Sequence, residues 1–148
     1  MRLQRRALIR SLFTAAAVLA VPRWLFAARP DAAFDADNSE TVVSDLFDGP
    51  ITESDQVTLK VPDIAENGAV VPVTVSTDLA DVESISVIVE NNPTPLVASF
   101  ELSPQSIADI SLRIKMGESS MVRTIVKAGG KLYSASKEVK VTIGGCGG

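Results

Sequence analysis

A single sulfur atom carries most of the reactive chemistry in this chain. Cys146 is the only cysteine, set in the closing stretch VTIGGCGG between Gly144 and Gly145 on one side and Gly147 and Gly148 on the other. Histidine is absent from all 148 residues, so neither a serine–histidine nor a cysteine–histidine nucleophile can be assembled from this chain alone. A zinc site meets the same obstacle, because Cys146 has no second thiol and no imidazole to share a metal with. Carboxylates are plentiful, and Asp78 with Asp81 is one pair that an acid–base role would call on. Nothing around them suggests the burial that tunes a catalytic pair, so they read as solvated turn charges. The glycines around Cys146 precede no helix and no lysine follows them, so a phosphate-binding loop has no support. The residues nominate no catalytic group, no metal and no cofactor.

What remains is the thiol. A buried, inert cysteine is the ordinary case, but Ile143 ends the apolar pattern and only glycine and the cysteine follow it. No apolar surface is left to enclose the side chain. Residues 144–148 read as a glycine-rich tether, and three residues at about 3.3–3.6 Å each let Cys146 stand roughly 10 Å beyond the last strand. A prenylation box needs three residues after the cysteine and this chain has two, whereas a lipoprotein cysteine opens a mature chain. An acidic chain with a carboxylate close behind the thiol disfavours the thiolate. This cysteine therefore waits for another protein to activate it, as in a covalent substrate carrier. An intermolecular disulfide on an exported binding or structural module stays open as the alternative.

The segment before the domain has a different composition. LQRRALIRSLFTAAAVLAV pairs Arg5 with Arg6, adds Arg10, and follows them with an apolar run of about ten residues, too short to cross a hydrocarbon layer of ~30 Å. Residues 1–28 are read as a twin-arginine export signal marked by Arg5 and Arg6, with a Sec signal or basic amphipathic leader as the alternative. Cleavage after Ala20, Ala27 or Ala28 fits, and no stable membrane anchor is expected. The whole chain carries 14 basic and 18 acidic residues; loss of residues 1–28 removes five arginines and no acid, leaving nine against eighteen, a net charge near −9. Such a chain, with no basic stripe, offers nothing to nucleic acid or to an anionic membrane surface.

The elements that must position Cys146 are mostly strands. Residues 29–38 are polar and alanine-rich and are expected to form an exposed, flexible lead-in. A short helix follows, capped by Asn38 or Ser39, with Val42, Val43, Leu46 and Phe47 at helical spacing and Gly49–Pro50 as its stop. From there the period becomes two: Val57, Leu59 and Val61; Val71, Val73 and Val75; Ile85, Val87 and Val89; Ile110, Leu112, Ile114 and Met116; Val139, Val141 and Ile143. The runs PLVASFEL and SMVRTIVKA add two less regular strands, and turn residues separate the members. Seven strands at this spacing predict an all-β fold, an immunoglobulin-like antiparallel β-sandwich over residues 39–143 preceded by a short helix.

Beyond these patterns, the chain resembles the SoxY family, the sulfur-carrier subunit of the bacterial thiosulfate-oxidising Sox system. The glycine-flanked cysteine carries the resemblance, supported by IAENGAVVPVTV at 64–75, NNPTPLVASFEL at 91–102 and the stretch from Leu112 to the end. The resemblance implies a periplasmic protein exported folded by the twin-arginine route, in a heterodimer with a SoxZ-like β-sandwich subunit. It further implies that Cys146 is the covalent attachment site and that the haem enzyme SoxAX loads thiosulfate there as a cysteine S-thiosulfonate. The hydrolase SoxB then releases sulfate, and further Sox oxidoreductases act on the remaining sulfane sulfur. The protein itself is expected to be no enzyme.

Overall fold

The computed structural model describes residues 29–142. Two short helices open this region: α1 (Asp31–Asp35) and α2 (Ser39–Leu46). Nine strands follow: β1 (Ile51–Glu53), β2 (Val57–Lys60), β3 (Ile64–Ala65), β4 (Val71–Thr77), β5 (Val82–Val89), β6 (Leu96–Glu101), β7 (Asp109–Ile114), β8 (Ser120–Ala128) and β9 (Lys131–Val141). They form two sheets. The larger runs β1-β9-β8-β5-β6 with β3 also on β9, and the smaller runs β2-β4-β7. The expected all-β sandwich with a short N-terminal helix is what the chain adopts.

α2 starts where the sequence indicates. Asn38 is extended, and its side chain accepts a 2.8 Å hydrogen bond from the Thr41 N–H, satisfying one of the donors that a first turn leaves unpaired. The helix buries Val42 completely. The lead-in expectation for residues 29–38 is corrected: α1 occupies part of it, and Ala33 and Ala36 are buried there. Alanine is small enough for helix and sheet to approach closely, so a stretch that looks polar still packs. Ala33, Ala36 and Val42 meet Ile88, Leu96, Ile125 and Leu132 on the outer face of the larger sheet.

The main core lies between the sheets. Val57, Val71, Val73 and Val75 of the smaller sheet face Ile85, Val87, Val89, Val122, Val126 and Val139 of the larger. Each fully buried valine or isoleucine contributes about 1.5–3 kcal/mol relative to exposure. Because helices cover its other face, β5 is buried on both sides from Ser84 to Val89. Ser86 is satisfied there: its hydroxyl shares a 3.0 Å hydrogen bond with that of Ser99, and its carbonyl accepts from Thr124 Oγ1 at 3.1 Å.

The strand count exceeds the seven expected. β1 and β3 are additional, and both run parallel to β9, as Ile51↔Leu132 to Glu53↔Ser134 and Ile64↔Lys140 to Ala65↔Val141. The sandwich is therefore not wholly antiparallel. At three and two residues these strands are too short to show a period. The final strand also begins earlier than its Val139–Ile143 pattern predicts, at Lys131, because Gly129 and Gly130 at φ +55° and +72° close a two-residue hairpin from β8. Two positive φ values suit glycine and match the twist of the strands they join.

Candidate functional site

Cys146 and its flanking glycines Gly144, Gly145, Gly147 and Gly148 lie outside the described residues, as do Arg5 and Arg6 of the export signal. The described structure does include the point from which the Cys146 segment departs. That point is Thr142, just past β9.

Three loops build the support for it. On one side, Lys140 N–H donates to the Asp63 carbonyl at 3.0 Å and Thr142 N–H to the Ala65 carbonyl at 3.1 Å, so β3 holds the last residues of β9 to its end. The Thr142 hydroxyl adds a 3.1 Å bond to the Glu66 carbonyl. On the other side, Val141 N–H donates to Ser119 Oγ at 2.9 Å. The 117–120 turn carrying Ser119 is itself tied to the turn after β5. Asn91 Nδ2 donates to the Ser119 carbonyl at 3.0 Å, Asn92 Nδ2 donates to the Lys115 carbonyl at 2.8 Å, and Gly117 N–H donates to Asn92 Oδ1 at 3.1 Å. Met116 N–H reaches across to the Gly68 carbonyl at 2.7 Å, closing the ring of loops.

Asn91, Asn92 and Ser119 are the positioning residues that the sequence alone shows only as turn formers. Their amide and hydroxyl groups cross-link backbone segments up to 28 residues apart, which no local pattern encodes. From this base, four residues at most about 3.6 Å each keep the Cys146 Cα within ~14 Å of the Thr142 Cα. The base is thus fixed to the fold.

The described surface offers no competing reaction centre. Asp78 and Asp81 are exposed in the turn between β4 and β5. Among the described residues no group of three or more metal-ligating side chains converges, and no helix is long and apolar enough to cross a membrane. Among the described residues, a hollow of about 360 Å³ lies against Glu53, Glu90, Arg123 and Ser134. Two exposed ion pairs brace the sandwich. Lys137 lies 2.8 Å from Asp63, and its hydrogen bond and charge hold the Asp63 carboxyl below the usual range. Lys127 lies 2.8 Å from Glu83 and lowers that carboxyl, with help from the Gly130 N–H; the Lys127 ammonium is raised in turn.

The fold and site define an all-β sandwich that anchors a short cysteine-bearing segment at one end, with no catalytic constellation among its described residues. The family profile of the sulfur oxidation protein SoxY matches residues 43–146, and the chain belongs to that family. Among solved structures it is similar to the sulfur carrier protein SoxY from Chlorobium limicola f thiosulfatophilum. That match has 43% identity and a TM-score of 0.63, over 70% of this chain and 94% of the other. It also superposes on superoxide reductase (neelaredoxin) from Ignicoccus hospitalis with a TM-score of 0.53 at 18% identity, over 58% of this chain and 80% of that one. At that identity the likeness concerns the fold alone. No curated protein sequence matches the chain.

Proposed function

We propose that this protein is a covalent carrier of sulfur intermediates in thiosulfate oxidation, holding its cargo on Cys146. The observation that carries the reading is that the family match extends through the GGC stretch to Cys146 itself. Two further observations support it: the similar Chlorobium protein is described as a sulfur carrier, and the base of the cysteine segment is held by hydrogen bonds from both sides.

In this reading the Cys146 thiol and thiosulfate are joined through a new S–S bond. The thiol loses its proton, and two electrons pass to the loading enzyme, a haem protein of SoxAX type. The product is an S-thiosulfonate on the carrier. Water then cleaves its sulfane–sulfone bond on a hydrolase of SoxB type, releasing sulfate and two protons and leaving a persulfide on Cys146. Further Sox oxidoreductases act on that sulfur. The glycines on either side of Cys146 have no side chains, so the thiol can enter a narrow active site belonging to another protein.

The same reading places the protein in the periplasm, carried there folded through Arg5 and Arg6, and pairs it with a SoxZ-like subunit. Folded export suits a partner that has no signal of its own. Intact-mass analysis of the protein purified from cells grown on thiosulfate tests the assignment. Sulfur-containing adducts on the peptide bearing Cys146 support the carrier. A bare thiol under those conditions, or a doubled mass that reductant removes, points instead to a binding module or a disulfide-linked assembly.

A further inference from the structure

Independently of the carrier reading, we infer that the free edge of β7 is an interface for a second copy of this chain, paired antiparallel about Ser111. Among the described residues, β7 is hydrogen-bonded to β4 alone. A strand edge presents a row of unpaired N–H and C=O groups, and folded proteins generally blunt such edges. The other edges here are blunted. β9 is accompanied by β1 and β3 at its two ends and by the Lys137–Asp63 pair between them. β2 has only four residues and ends on Lys60. β6 follows Pro95 and carries a bulge opposite Val87 and Ile88. β7 has six residues, no proline and a continuous register with β4 from Ile114 to Asp109.

The sequence of β7 is self-complementary. With Ser111 opposite Ser111 of the second copy, Ile110 falls opposite Leu112, and Asp109 falls opposite Arg113, twice by symmetry. Asp109 and Arg113 are exposed on the outer face, and neither is in an ion pair among the described residues. Ile110 and Leu112 point toward the core, yet they are only half-buried, whereas Val71, Val73 and Val75 on the adjoining strand are fully enclosed. Among the described residues no strand lies beyond β7 to cover them. A second copy in this register joins the two smaller sheets into one of six strands, pairs four charges across the strands and shields the half-buried apolar row.

Sedimentation velocity on residues 29–148 carrying Cys146→Ser, which removes any disulfide, tests the interface. The expected result is a concentration-dependent dimer. Arg113→Asp sets two carboxylates opposite each other at both ends and weakens association by roughly tenfold or more. Asp109→Arg does the same, and the double exchange Asp109→Arg with Arg113→Asp restores the dimer. Circular dichroism confirms that each variant is folded, as expected for exposed positions. A protein that stays monomeric at all concentrations overturns the inference, as does a dimer insensitive to the single exchanges or not rescued by the double one. Loading of thiosulfate on Cys146 is read separately and does not depend on the outcome.

Discussion

Lys137 Nζ lies 2.8 Å from Asp63 Oδ1 and also donates to the Val61 carbonyl at 3.1 Å. One ammonium therefore ties the 61–63 segment onto the part of β9 that neither β1 nor β3 accompanies, just before β3 takes up the end from which the Cys146 segment leaves. Through that tie, the edge of the larger sheet is sealed next to the candidate site.

The Asp63–Lys137 pair makes stability depend on pH with a definite sign. The folded carboxyl is held below its ordinary value, so its contribution is present above the ordinary carboxylate pKa of about 4 and is lost as pH falls through the lowered one. The melting-temperature difference between wild type and Lys137→Met is expected to be greatest near neutrality and to shrink toward pH 3. Thermal unfolding across that range checks it. A difference that grows on acidification contradicts the assignment. Because both groups are exposed, the effect is small.

Asn38→Ala removes the acceptor for the Thr41 N–H and is expected to destabilise the protein by about 1 kcal/mol. Urea unfolding measures it. An unchanged midpoint means that α2 is held by Val42 packing alone.

Ile125→Ala empties a fully buried site beneath the helices and is expected to cost about 2–5 kcal/mol. Ile85→Ala, in the core between the sheets, falls in the same range. If the Ile125 variant loses far less than the Ile85 variant, the helices are not a structural cover of the larger sheet.

Gly145→Val with Gly147→Val adds bulk to the chain beside the thiol at positions outside the described fold. Loading and the later steps are expected to slow together, because each partner enzyme must admit the same segment. Rates equal to wild type refute the idea that the glycines serve access.

Much of this fold is legible in the sequence because one-sided burial imposes a period of two. Val71, Val73 and Val75 alternate with residues that face outward, and the structure buries the three valines as that pattern demands. Legibility is lost where a second layer intervenes. Ser86 looks like a solvent position between Ile85 and Val87, yet it is 1% exposed, because the outer face of the larger sheet is packed as well and Ser99 satisfies its hydroxyl. α1 shows no helical period because its five residues hold little more than one turn, in which Ala33 is buried and Phe34 packs beside it. β1 and β3 are not legible because parallel pairing with a strand some 80 residues away leaves no local trace. At the site, the glycine-flanked cysteine is legible in the sequence itself. The Asn91, Asn92 and Ser119 bracing near its base is not, since those side chains act only across the fold.

The central claim is that Cys146 receives sulfur from outside the protein. Mass spectrometry of wild type and Cys146→Ser after incubation with thiosulfate and a SoxAX-type loading enzyme tests it most directly. Wild type is predicted to gain one thiosulfate per chain, removable by reductant, while the serine variant gains none and keeps the wild-type melting temperature. Equal loading of the two proteins, or none on either with an enzyme active toward another SoxY, contradicts the account.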